Sequence, residues 1–142
     1  GVVMGVCEDI DPAEILVDPK SPAWVVGEAL EREGLDVRKL TYPEVKSATG
    51  AFLQGQRDST MWLSDADGTV AAAFDYAETK EDPNGGVRWV RHEGQGTICQ
   101  LTAVTYAMWA AQNADDLKPV GRPSAGVNMA PVRRSRPVVK AF

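Results

Sequence analysis

The pattern of apolar and polar positions predicts an alternation of short strands and helices. Residues 14–18 contain a short apolar run between two prolines, which is typical of a buried strand, and the segment ends in Asp18. An apolar stripe at helical spacing follows and stops at Gly34, so a helix is expected there with Ser21 as its N-cap. Residues 36–40 alternate between apolar and charged positions and predict a second strand.

Two later segments have the spacing of a capping box, in which an N-cap residue and the residue three positions later bind each other's backbone N–H groups. The first pair, Thr41 and Glu44, predicts a helix that runs towards Arg57. The second pair, Thr97 and Gln100, opens a predicted helix that is apolar on most of its circumference, which indicates central burial.

The stretch between these two helices carries weaker signals. Residues 61–63 suggest a short edge strand, and Asp65 or the serine before it caps a predicted helix that reaches Ala77. Residues 82–86 have the composition of a turn, and residues 87–91 alternate like a strand. Because helices and strands follow one another in turn, the sequence predicts an α/β fold with some parallel pairing.

Charge divides the chain into two parts. The net charge is −5, but residues 117–142 contain six Lys and Arg and no acidic residue, which leaves nine Lys and Arg against 20 Asp and Glu in residues 1–116. We therefore predict a folded domain over residues 1–116 and a basic, proline-rich, flexible tail over residues 117–142. The tail could bind nucleic acid or fold back on the acidic domain, which is itself a poor non-specific DNA binder.

Composition excludes several kinds of site. Two cysteines, Cys7 and Cys99, exclude a disulfide scaffold and a four-ligand zinc site, and the single histidine, His92, excludes a multi-histidine site. No run approaches the ~18 apolar residues of a membrane-spanning helix, so no membrane partner is expected. Residues 65–68 fit a calcium loop in neither possible frame, so a helix cap is predicted there. Cys99 is expected to pack among apolar residues.

Among the acidic residues, Asp18 is the most informative. Ligands of open α/β sheets bind outside the carboxyl ends of the strands, where a carboxylate could hold Mg²⁺ or Mn²⁺. The alternative is that Asp18 forms an Asx-turn or caps the helix that follows it. Glu93 beside His92 could form an acid/base pair, but neighbouring residues of an extended segment point to opposite faces, which favours a surface loop.

A series of weak motifs in a fixed order covers residues 14–112. The residues that carry it are the segment 15–23 (Ile-Leu-Val-Asp-Pro-Lys-Ser-Pro-Ala), then Leu30, Gly34 and Val37, the helix 45–54 with Ala48, Gly50 and Phe52, Leu63 with the turn 65–67, Trp89, and the apolar segment 107–110. This series resembles the C-terminal part of the nuclease domain of tailed-bacteriophage large terminases, the motor proteins that package viral DNA and cut it.

The resemblance implies an α/β fold with a ribonuclease H-like sheet that is flanked by helices and incomplete at its N-terminal side. It also implies a DNA endonuclease in which a cluster of acidic residues holds two Mg²⁺ or Mn²⁺ ions. Asp18 corresponds to the middle metal-binding acid of the family. The first acid would lie on a strand before Gly1, and Thr97 occupies the position of the last, with Glu93 as the nearest substitute. With two of three acids absent, the isolated chain is expected to be inactive.

The resemblance implies double-stranded DNA, the phage portal and the small terminase subunit as partners, and the host cytoplasm as location. An alternative function is a non-catalytic binding or assembly module that docks on a portal or on nucleic acid through the basic tail. A second alternative is an unrelated small α/β protein.

The missing hairpin of the ribonuclease H-like sheet would leave the strand at residues 15–18 with an exposed edge. Residues 87–90, the tail or a second copy of the chain could close it. We predict self-association through this edge. Sedimentation velocity should then show a mass that rises with protein concentration, and a monomer at high concentration would contradict the prediction.

Overall fold

The computed structural model describes Pro12 and residues 14–92, 96–113 and 139–141. These residues form a mixed α/β structure with four helices and two small sheets, which confirms the predicted α/β class. The helices are α1 (Trp24–Arg32), α2 (Tyr42–Arg57), α3 (Thr69–Asp75) and α4 (Cys99–Gln112), and the strands are β1 (Glu14–Val17), β2 (Arg38–Lys39), β3 (Ala77–Glu81), β4 (Val87–Arg91) and β5 (Val139–Ala141). Within the described ranges, no helix combines the length and the apolar character needed to cross a membrane.

Strand β1 lies at the centre of a parallel sheet with the order β2–β1–β5. Leu16 is opposite Arg38 of β2 on one side and Ala141 of β5 on the other. Parallel neighbours need a crossover connection, and α1 provides it between β1 and β2. Ile15 and Val17 pack against α1, whereas Leu16 packs against α2 and α4. All three side chains are 0% exposed, so β1 is covered on both faces.

Helix α1 ends where the sequence predicts but begins later. Gly34 has a φ of +85°, which favours glycine, and it terminates the helix as expected. The prediction of Ser21 as the N-cap is wrong, because α1 begins at Trp24 with Ala23 before it. The Ser21 hydroxyl instead donates a hydrogen bond to the Asp18 carbonyl at 2.8 Å, so Ser21 continues the turn that leaves β1.

The two predicted capping boxes have different outcomes. At the start of α2, the Thr41 N–H donates to Glu44 Oε2 at 2.8 Å and the Glu44 N–H donates to Thr41 Oγ1 at 3.4 Å, which confirms the first box. At the start of α4, Thr97 Oγ1 accepts from the Cys99 N–H at 3.2 Å. The box of Thr97 and Gln100 is therefore wrong, because α4 starts one residue later than its spacing requires.

Strands β3 and β4 form an antiparallel hairpin joined by the predicted turn at residues 82–86. The predicted strand at residues 87–91 is confirmed as β4. The predicted helix that reaches Ala77 is wrong at its end, because α3 stops at Asp75 and Ala77 begins β3. Beyond Ala77 every residue of β3 is exposed, so the strand has no apolar alternation. Residues 61–63 form no strand, and Trp62 is 93% exposed.

Aromatic packing attaches this hairpin to three helices. The ring centroids of Phe52 in α2, Phe74 in α3 and Trp89 in β4 are 5.9 Å and 6.0 Å apart, and both contacts of Trp89 are edge-on. The Trp89 indole N–H donates to Thr105 Oγ1 of α4 at 3.0 Å. Strand β4 is therefore held beside α4, on the side of the molecule where β1 ends.

The edge of β1 that the sequence leaves open is paired with β5, which belongs to the basic tail. Residues 87–90 pair with β3 instead. Residues 114–138 lie outside the described part, so the flexible tail stays a prediction. Self-association also stays a prediction, and the outer edges of this sheet among the described strands are those of β2 and β5.

Substitution of Phe52 by alanine should lower the free energy of unfolding by about 3 kcal/mol, because a buried ring that joins three elements is replaced by a cavity. Urea unfolding followed by circular dichroism measures the change. Trp62→Ala is the control, and it should stay within about 0.5 kcal/mol of the wild type because the Trp62 side chain is exposed. Equal effects of the two substitutions would show that the aromatic cluster does not hold the fold.

Candidate functional site

Asp18 follows the last residue of β1 and starts a tight turn. Its Oδ1 accepts a hydrogen bond from the Lys20 N–H at 2.9 Å, and its carbonyl accepts from the Ser21 N–H at 3.0 Å. The Asx-turn that the sequence offered as an alternative is therefore present. The turn does not bury the side chain, which stays half-buried at the carboxyl end of the central strand.

Two adjoining cavities of about 300 and 540 Å³ open at this end of the sheet. Both are lined by Asp18, Lys20, Arg88, Trp89 and Tyr106, and we call them together the Asp18 cleft. The larger cavity is also lined by the residues that precede α1, by the end of β4 and by the start of α4, namely Ser21, Pro22, Ala23, Val90, Arg91, Thr97, Ile98, Cys99 and Thr102. Segments that are far apart in the sequence thus meet at one concave surface.

The Asp18 cleft carries more positive than negative charge. Among the described residues, Asp18 is the only acidic residue that lines it, whereas Lys20, Arg88 and Arg91 contribute three cations. Lys20 Nζ lies 5.0 Å from the centre of the Tyr42 ring, a cation–π contact. None of the three cations forms an ion pair within the described ranges. The described lining is therefore better suited to an anion than to a cation.

The environment of the cleft changes the acidity of the Tyr106 hydroxyl group. Burial of the ring raises the pKa of Tyr106 well above its ordinary value of 10.0, and the nearby negative charge of Asp18 raises it further. The phenol therefore stays neutral over the physiological pH range. Tyr106 also packs with Leu16 in the core, so it connects the floor of the Asp18 cleft to the buried face of β1.

Asp18 and Thr97, which the resemblance assigns to two metal-binding positions, both line the Asp18 cleft. Glu93 lies outside the described residues. His92 does not line the described cleft, and its Nδ1 contacts the Glu78 carboxylate across the hairpin. His92 is exposed, which agrees with the predicted surface position.

The prediction for Cys99 is wrong, and the one for Asp65 is confirmed. Cys99 is exposed because it is the first residue of α4 and lies at the cleft, while the buried face of that helix begins at Leu101. The Asp65 carboxylate accepts from the N–H groups of Val70 and Ala71 at 3.0 and 2.9 Å. It therefore caps α3 from a few residues upstream, as expected for a helix cap and not for a calcium loop.

The described residues do not by themselves fit a centre of two divalent cations. Within those ranges, no group of three His, Cys, Asp or Glu residues is placed to hold a metal. Mg²⁺ and Ca²⁺ each require six or more oxygen ligands, and Asp18 supplies one carboxylate next to three positive side chains. We therefore assign no catalytic step to a metal in this part of the chain.

The sequence does not indicate Arg88 and Arg91 as residues of the site. Both belong to β4, which the sequence predicts only as an alternating strand. Trp89 lies between the two arginines in the strand, directly after Arg88 and two residues before Arg91. Its packing determines where the strand lies, and nothing in five alternating residues indicates a cleft. Only the neighbouring start of α4 makes this strand one wall of a concave surface.

Ionisation of Tyr106 should destabilise the protein at alkaline pH. The pKa is higher in the folded than in the unfolded chain, so the stabilising contribution is complete below about pH 10 and is lost as the pH rises further. The free energy of unfolding, measured with urea between pH 8 and 11, should fall less steeply for Tyr106→Phe than for the wild type. Trp62→Phe is the control, because it changes an exposed ring and removes no titratable group, and its pH profile should match the wild type. Identical slopes for all three proteins would rule out this role of Tyr106.

Comparisons with protein-family models, with curated proteins and with solved structures found no match to this chain. The function is therefore inferred from the residues that meet in the Asp18 cleft and from the sequence motifs.

Proposed function

We propose that this chain is part of the ribonuclease H-like nuclease domain of a phage large terminase, a DNA endonuclease used in viral genome packaging. One observation carries the proposal. Asp18 and Thr97, which the resemblance assigns to two of the metal-binding positions of that family, are far apart in the sequence yet line the same cavity. This proximity supports the proposal because the family's acids meet in one site.

The local topology agrees with the proposal. Strands β1 and β2 are parallel and joined by α1, and Asp18 lies at the carboxyl end of β1, where ligands of open α/β sheets bind. Helix α4 packs on the other side of β1 from α1, so the start of α4 reaches the same end of the sheet. A ribonuclease H-like sheet completed by further strands is compatible with this arrangement.

The charges of the cleft favour DNA as the ligand. Duplex DNA carries a regular array of phosphates, and their binding depends on Lys and Arg side chains. The acidic domain (residues 1–116) offers such side chains at Lys20, Arg88 and Arg91, which line the cleft. These residues would hold the DNA backbone, and the cleft would then lie against the strand to be cut.

The resemblance is the only reason to include Mg²⁺ or Mn²⁺ in the proposal. Bound divalent ions activate a water molecule and stabilise the leaving oxygen in metal-dependent nucleases. Asp18 is the single described carboxylate available to them, so we expect the isolated chain to bind DNA without cutting it. The portal and the small terminase subunit remain proposed partners on the same basis.

Duplex DNA should slow the alkylation of Cys99 several-fold, because this exposed thiol lies at the rim of the Asp18 cleft. The full chain is treated with iodoacetamide with and without DNA, and mass spectrometry of peptides follows Cys99 separately from Cys7. Mn²⁺ should increase the protection for the wild type and not for Asp18→Asn. Polyglutamate is the control polyanion and should protect Cys99 less than DNA does.

Two results would change the conclusion. An unchanged alkylation rate in the presence of DNA would refute binding in the cleft. Loss of protection after replacement of Arg133, Arg134 and Arg136 by glutamine, with the cleft residues intact, would favour the alternative module that binds through its basic tail. Replacement is preferred to deletion of the tail, because deletion would also remove β5 from β1.

A further inference from the structure

Only some of the basic residues in the acidic domain form ion pairs with described carboxylates. Residues 1–116 contain nine Lys and Arg, and all nine lie in the described ranges. Four of them form ion pairs with carboxylates of the described residues, namely Arg32, Arg38, Lys39 and Lys46. The other five are Lys20, Arg57, Lys80, Arg88 and Arg91, and three of these five line the Asp18 cleft. Positive charge without a described partner is therefore concentrated at one concave surface.

Concavity increases the effect of these charges. Walls of low dielectric constant focus the field of a charged cleft and raise the local concentration of ions of the opposite sign. Arg88 is half-buried in β4 and lines both cavities of the cleft, so this residue is partly removed from water. A partly desolvated cation without a described carboxylate partner is stabilised when an anion binds to it.

One oxygen of Asp18, the only acidic residue among the described residues of the cleft, already accepts a hydrogen bond. Asp18 Oδ1 accepts the Lys20 backbone N–H, so this carboxylate oxygen holds the turn that presents the Lys20 side chain. The shape of the described side chains also matches a phosphate better than a point cation. An arginine can donate two parallel hydrogen bonds to one phosphate, and a lysine adds a compact positive charge.

We infer that the Asp18 cleft binds a phosphate group directly through Lys20, Arg88 and Arg91, with no divalent metal required. The phosphate belongs to a nucleic acid strand, and only this choice of source rests on the proposed function. The cavity of about 540 Å³ is large enough for the sugar and base attached to the phosphate, and Trp89, Ile98 and Pro22 provide apolar walls for them. This binding mode differs from a site in which two cations hold the backbone.

The test is a titration of the full chain in EDTA, followed through its backbone amide signals by NMR. Inorganic phosphate should shift the signals of residues 20–24 and 97–102 saturably. A short oligothymidylate should shift the same signals at lower concentration, whereas thymidine without phosphate should not. Saturation by inorganic phosphate without tighter binding of the oligonucleotide would retain the anion site and overturn its assignment to nucleic acid.

Matched variants identify the side chains that bind. Arg88→Gln should weaken binding of the oligonucleotide about tenfold, or about 1.4 kcal/mol. Arg57→Gln removes the same charge outside the cleft and should leave the affinity unchanged. Lys20→Gln, with Lys80→Gln as its control, provides an independent pair of exposed positions in case the Arg88 variant is unfolded.

The inference is overturned if no saturable shift occurs in EDTA, if shifts appear only after Mn²⁺ is added, or if cleft and control variants lose affinity equally. Its failure is distinguishable from that of the proposed function. Oligonucleotide binding in EDTA without protection of Cys99 by duplex DNA would keep the phosphate site and reject the duplex as ligand. Mn²⁺-dependent protection of Cys99 by duplex DNA, without binding in EDTA, would keep the duplex as ligand and reject the metal-free phosphate site.

Discussion

The burial of β1 is the constraint on which the rest of the structure depends. Its three central side chains have no exposed surface, and they separate α1 on one face from α2 and α4 on the other. Backbone pairing with β2 and β5 fixes the strand laterally. Because β1 is held on four sides, its carboxyl end has a defined position. Asp18 therefore lies where the residues before α1 and the start of α4 meet.

Signals that act over a few residues were sufficient to predict parts of the fold. The Thr41 and Glu44 box and the stop at Gly34 depend on their own backbone, and both were found as expected. Asp18 could be identified as a site residue because the end of a buried strand is a local feature. Cys99 is exposed because it begins α4 at the cleft, and Arg88 lines the cleft in a strand whose Trp89 packs against Phe52 of α2. Neither is encoded by neighbouring residues alone.

The charges of the described cleft qualify what the resemblance implies. The resemblance implies a cluster of several carboxylates, whereas the described lining contains one carboxylate and three cations. Coulomb attraction between these cations and a phosphate needs no additional ligand, whereas a pair of divalent ions would be repelled by them. The described lining therefore attracts an anion more strongly than a pair of divalent cations.

Because β5 lies late in the sequence, the sheet can be completed only late in the synthesis of the chain. Glu14 is in register with Val139, so the pairing joins segments separated by nearly the whole described chain. Closing so long a loop carries an entropic cost, and such contacts form slowly. On the ribosome, β1, α1 and β2 can assemble long before residue 139 emerges. Until then one row of peptide groups on β1 has no neighbouring strand, and chaperones or adjacent nascent chains would encounter that uncovered flank first.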